Sequence, residues 1–169
     1  MPPTLVDQYR RWFEYEKDSH RKVVASLEAV PEEGRDSEPY LKALRILGHV
    51  VAARRTWLFR FGFTAERPAE LFPTDVTREG LAAELEAMER DWSRYLEQLT
   101  ESEVQRPFTY RSYEGTWFRN TVADVLAQLH GHSLYHRGQV ASLVRAAGGQ
   151  PVETDFILWC RESVPPPGP

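Results

Sequence analysis

"TVADVLAQLHGHSLYHRGQVASLVRAAGG", residues 121–149, decides how the chain is read. Its apolar residues Val122, Val125, Leu126, Leu129, Val140, Leu143 and Val144 recur at the three- and four-residue spacing of one helix face. Thr121 and Asp124 have the spacing of a capping box with Asp in its fourth place, and Gly148 and Gly149 supply a glycine stop. The stretch therefore predicts one long helix, and that helix carries three histidines within seven positions. With His132 set at zero and about 100° per residue, His136 falls at about 40°, Leu129 at about 60°, Val140 at about 80° and His130 at about 160°. His136 lies inside the apolar stripe and His132 on its edge. Four residues apart, these two imidazoles can reach one point from one helix face, as paired histidines do in helical zinc sites. His130 lies beyond the other edge and is excluded as a ligand of the same site. Two histidines leave a metal site incomplete, because catalytic zinc takes three protein ligands and keeps a position open.

Working outward, Thr4 to about Val30 has helical periodicity, and "PEEGRD" breaks it. Ser37 is a good N-cap for a second helix to about Phe61, apolar around most of its circumference and so expected to be buried. The breaker-rich "FTAERPAELFPTDV" leads to Thr77, which caps a third helix. In "PFTYRSYEGTWFRN" aromatic and polar residues alternate on both sides of Glu114 and Gly115, which predicts extended chain or a short hairpin. After Pro151 the apolar "FILWC" is expected to cover an open end of the core, and residues 164–169, "VPPPGP", to form a flexible tail. There is no internal repeat and no domain linker. These elements predict an all-α protein: a four-helix bundle with a short hairpin before its fourth helix, one domain over residues 1–163. Such bundles carry metal and cofactor sites on their inward faces.

Composition narrows the function classes. The chain has 169 residues, 41% hydrophobic and 27% charged, with a net charge of -4 that gives no general attraction to nucleic acid. Arg54, Arg55 and Arg60 on the second helix supply only local basic charge, so direct DNA binding ranks low. No apolar run approaches the ~18 residues of a membrane helix, and "MPPTLVDQYR" lacks the sections of a signal peptide, so a cytoplasmic location is expected. The single cysteine, Cys160, has no internal disulfide partner and is expected to pack as a small apolar residue.

Two versions of the third ligand are open on residue chemistry alone. His49 sits mid-helix in the most apolar helix, yet Lys42 and Arg60 share its side at about 20°, so periodicity does not turn it inward. Glu16 and His20 are four apart on the apolar stripe of the first helix and can line the same cavity or accept an imidazole N–H. On the fourth helix, Gly131, Gly138, Ala127 and Ser142 form a strip of small residues expected to receive another helix, in the bundle or across a dimer interface. Arg137 is expected to make a structural ion pair, Gln139 to orient His132, and Tyr135 to offer a hydroxyl at the cavity rim.

"HSLYHRGQVASLVRAAGGQP", the "DFILW" that follows, the second-helix "LGHVVAARRTWL" and the "TYRSYEGTWFRN" run before the fourth helix together resemble the DinB family, grouped with YfiT-like metal-dependent hydrolases. The resemblance extends over nearly the whole chain. It implies a metal triad on His49, His132 and His136, a divalent ion such as zinc or nickel, and a homodimer. Better-understood relatives are transferases or isomerases that use low-molecular-weight thiols. Three neutral imidazoles leave the charge of such an ion unneutralised and a position open, which lowers the pKa of water toward about 7 and favours thiolate more strongly. The expectation is a metal-dependent enzyme activating a thiol or water, of thiol S-transferase or hydrolase type, in stress or detoxification. The alternative is a metal-binding stress protein without turnover.

Overall fold

The computed structural model describes residues 2–165. Helix α1 spans Leu5–Glu28, α2 Glu38–Arg60, α3 Arg78–Gln98 and α4 Glu101–Gln105; strands β1 (Pro107–Arg111) and β2 (Trp117–Thr121) follow, then α5 (Val122–Ala146) and α6 (Phe156–Cys160). The long helices start where their capping residues predict. Thr4 with Asp7 and Thr121 with Asp124 form complete capping boxes, while the Ser37 and Thr77 hydroxyls accept from the backbone N–H groups of Tyr40 and Gly80. Each hydroxyl satisfies a donor that the first helical turn leaves without an internal partner. At the end of α5 Gly148 takes a φ of +83°, and a Cβ on Gly149 would come 2.8 Å from Val30 Cγ2. The glycine pair thus both stops the helix and lets it close onto the end of α1.

The four long helices form a closed ring in which α2 lies between α3 and α5, and α1 packs on α3 and α5 from the opposite side. Their shared core contains the fully buried Trp92, Met88, Leu58 and Val144, with Phe13, Leu47 and Leu129 beside them. Trp92 Nε1 donates to the Arg54 carbonyl at 3.3 Å, which gives the indole a partner in the centre of the bundle. Among the described residues no helix is long and apolar enough to cross a membrane.

The expected hairpin is present as an antiparallel β1–β2 pair with Thr109 opposite Arg119. Phe108 turns inward onto Phe61 with ring centroids 5.2 Å apart, while Trp117 and Phe118 stay exposed. "FILWC" forms the single-turn α6. Its Phe156 and Trp159 pack on Tyr15, and the Tyr15 hydroxyl donates to the Thr154 carbonyl. Cys160 is half-buried there, its thiol facing the Ile157 carbonyl. The short α4 carries too few residues for periodicity to show it. Of the tail expected at 164–169, residues 166–169 lie outside the described residues.

Among the described residues no helix packs on the small-residue strip of α5. A Cβ on Gly131 or Gly138 would meet nothing within 4 Å, and Ala127 and Ser142 are exposed. The buried face of α5 includes Ser133 and Arg137, two polar residues outside the apolar count, beside Val122, Val140 and Val144, and His132 and His136 are half-buried on the flank that faces α2.

Candidate metal centre

Helix α2 is buried from Val50 through Arg54 without a break, so a polar side chain in its middle must meet a partner inside the bundle. His49 is 9% exposed and meets α5. Its Nε2 lies 3.1 Å from His132 Nε2, which lies 3.1 Å from His136 Nε2. One nitrogen from each of the three rings falls within 4.8 Å of the other two, close enough to hold a single metal ion. Three nitrogens at the ~2.0–2.1 Å bond length of a tetrahedral zinc site lie about 3.3 Å apart.

The outer ring nitrogens determine where the lone pairs point. His49 Nδ1 donates to the Leu71 carbonyl at 2.8 Å, and His136 Nδ1 donates to Gln139 Oε1 at 2.8 Å. Each donation fixes the tautomer and leaves Nε2 as a lone pair aimed at the shared point. His132 has one proton for two neighbouring acceptors, and its own Nδ1 is buried without a partner among the described residues. A cation at the shared point would satisfy all three lone pairs, so the donor set fits a borderline-soft divalent metal.

Electrostatics keep His132 and His49 neutral near neutral pH. Burial, followed by the neighbouring His136 and His49, pushes His132 down to about 4. Burial also lowers His49, opposed by the hydrogen bond to the Leu71 carbonyl. A metal arriving near neutral pH therefore displaces no proton from either ring.

Periodicity could not reveal two contributors from the connector between α2 and α3. Leu71 supplies the carbonyl that orients His49, and Phe72, 68% exposed, stacks on the His49 ring at 4.3 Å and 6°. The available signal was the apolar pair Leu71 and Phe72 between Pro68 and Pro73.

The other expected residues lie around the cluster rather than in it. Gln139 orients His136, not His132: three residues apart on α5, the two side chains stand one turn above each other. Glu16 and His20 are buried but do not reach the three imidazoles. Glu16 receives Arg54 Nε at 2.8 Å, Arg54 Nη2 and the Ser133 hydroxyl, while His20 Nδ1 meets Glu89 Oε1 at 2.8 Å. Tyr135 is 66% exposed and sets its ring edge-on to His136 at 5.1 Å. Arg137 finds no carboxylate among the described residues. Its Nη2 donates to the Tyr15 hydroxyl at 2.7 Å and its guanidinium lies 4.9 Å from the Tyr15 ring centroid. His130 stacks on Trp12 at 4.3 Å, away from the other two histidines of its helix.

A cavity of about 200 Å³ borders His49 and His132. Ala53, Trp57 and Leu129 contribute apolar wall, and Arg60 and Tyr113 line it as well. The Thr56 and Tyr113 hydroxyls, 3.1 Å apart, bridge α2 to the hairpin turn.

A four-helix bundle with three imidazoles converging from two facing helices, beside a cavity, places the chain in a class of helical proteins whose histidines lie close enough to hold a metal ion. The chain matches the model of the DinB family over residues 1–163 and belongs to that family. It is 24% identical over 155 residues to Protein DinB of Bacillus subtilis (strain 168), covering 87% of this chain and 90% of that protein.

Proposed function

We propose that the protein is a metal-dependent enzyme in which His49, His132 and His136 hold one divalent ion, zinc or nickel, beside a cavity that admits a low-molecular-weight thiol and its reaction partner. The reaction is a thiol S-transfer or a hydrolysis serving stress or detoxification. The observation that carries the reading is the convergence of three Nε2 atoms, two of them with tautomers fixed from behind by Leu71 and Gln139. When bound, a divalent ion at this point supplies positive charge and an open position that lower the pKa of a thiol or of water.

The chain's own residues do the rest. Leu71 and Gln139 hold two imidazoles in the tautomer that offers a lone pair, and burial of His132 keeps a competing proton off it. Ala53, Trp57 and Leu129 form an apolar wall on the space beside the site. Homodimerisation through the uncovered small-residue face of α5 belongs to the same reading.

The test begins with elemental analysis of protein purified without a histidine tag, alongside a His132→Ala/His136→Ala double variant. About one metal per chain is expected in the first and none in the second. Equal metal content in both would end the reading. Metal-loaded protein is then assayed against a panel of thiols and electrophiles, and turnover lost in His136→Ala supports the enzyme. A metal-replete protein silent across the panel is a binding protein instead.

A further inference from the structure

Arg60 made the second-helix pattern ambiguous, because a cation shares the side of the helix that carries His49. The structure gives that placement a use. His49, Ala53, Trp57 and Arg60 follow one another along a single face of α2, and all four line the cavity at the imidazoles. Arg60 and Tyr113 also line a second cavity of about 570 Å³ beside the hairpin, which includes Arg67, Arg111 and Glu114. The two spaces thus share a wall made by one arginine and one tyrosine.

The arginines of this wall are held in place but not neutralised. The Arg60 guanidinium lies 4.6 Å from the ring centroids of both Trp57 and Tyr110 and donates to the Arg111 carbonyl at 3.3 Å. Arg67 lies 4.9 Å from the Tyr113 ring centroid, and Arg111 Nε donates to the Gly115 carbonyl at 2.8 Å. Among the described residues no carboxylate lies within 4.0 Å of any of the three guanidinium groups. The contrast on the same helix is plain, since Arg54 pairs with Glu16 and Arg55 with Glu84. Three arginines against the single Glu114 make this cleft locally cationic in a chain whose net charge is -4. A planar guanidinium fixed by aromatic rings, with N–H donors to spare, is suited to a carboxylate.

We propose that Arg60, with Arg67 and Arg111 beside it, is an anion-recognition subsite that binds a carboxylate of the small molecule whose thiol approaches the three imidazoles. The inference rests on the thiol reading of the metal centre and narrows it to thiols that carry negative charge. It also sets a size. Eleven residues of helix separate the His49 and Arg60 backbones by about 16 Å along the axis, at ~1.5 Å per residue, and the arginine stem leans back toward the N-terminal end. A molecule touching both ends is of peptide length, larger than a simple two- or three-carbon thiol.

The test uses matched probes on cobalt-loaded protein: glutathione and its diethyl ester, which share a skeleton but differ in carboxylate charge. The thiolate-to-cobalt absorption band reports binding. Glutathione should bind at least about tenfold more tightly than the ester, the size of one charge-assisted hydrogen bond. Arg60→Gln should bring glutathione to the affinity of the ester with metal content unchanged, Arg60→Lys should restore part of the difference, and the exposed Arg67→Gln should give a smaller loss. Equal affinities for acid and ester in the unaltered protein, both with a thiolate band, would overturn this inference and leave the metal–thiol reading standing. If neither probe gives a band while cobalt is retained, the thiol reading fails, and binding of S-methylglutathione, followed by tryptophan fluorescence, decides the subsite separately. Arg60-dependent binding supports it, and no binding overturns it.

Discussion

Glu16→Gln separates a residue that supports the bundle from one that serves the metal. Glu16 and Arg54 form a buried pair with side chains 2% and 5% exposed, joined through both carboxylate oxygens, with the Ser133 hydroxyl also donating and His20 Nε2 3.6 Å away. Burial raises the Glu16 pKa, but Arg54, His20 and the hydrogen bonds outweigh it and hold the carboxyl below its ordinary value of 4.5. Its contribution is therefore present above about pH 4.5 and lost as pH falls below that value. Removing the charge leaves a buried guanidinium with one neutral amide acceptor beside the rings of Phe13 at 5.4 Å and Trp92 at 5.2 Å. Breaking one partner out of a buried pair costs about 3–5 kcal/mol, and glutamine keeps one acceptor, so the low end applies. At roughly 2–4 °C per kcal/mol for a chain of this size, Tm should fall by about 6–12 °C. A Glu16→Leu/Arg54→Met double variant should lose less than Glu16→Leu alone, because no unpaired charge is left behind. Thermal unfolding by circular dichroism reads the stability, and zinc affinity by chelator competition should fall less than tenfold. Unchanged Tm with zinc affinity reduced a hundredfold or more would refute the reasoning, since Glu16 would then act on the imidazoles and not on Arg54.

Other expectations concern the histidines directly. Gln139→Ala removes the acceptor that fixes the His136 tautomer and should weaken zinc binding about 10–100-fold with little change in Tm; unaltered affinity would show that the bond is incidental. Metal-free protein should lose stability as pH falls from 6.5 toward 4, because the unfolded chain protonates His132 at its ordinary value while the folded chain resists until about 4. His132→Asn should flatten that slope in chelator-treated protein, and identical slopes would place its cause elsewhere. His130→Ala should leave zinc stoichiometry at the level of the unaltered protein and lower Tm through the lost Trp12 stack; loss of the metal would bring His130 back as a ligand.

Much of the architecture is legible in the residues. Ser37, Thr77 and the two capping boxes mark helix starts by local hydrogen bonding, which depends on a few consecutive residues and nothing distant. The β1–β2 hairpin follows from alternation around Gly115. Arg137 and Gln139 were harder to place. Helix angle alone puts Arg137 off the apolar stripe, yet it is buried because Tyr15, on another helix, offers a hydroxyl and a ring face. Gln139 is near both histidines in angle, and only the turn-to-turn stacking of side chains selects His136.

The sequence by itself determined four long helices, their caps, and two imidazoles four residues apart on one face, since each depends on helical period or on bonds within a turn. Only the tertiary structure turned His49 toward α5, placed Leu71 and Phe72 behind it, withdrew Glu16 and His20 into a separate buried network, and joined Arg60 to the imidazole cavity. These are contacts between elements far apart in the chain. They depend on how the helices rotate and cross when the core packs, and no local period records that.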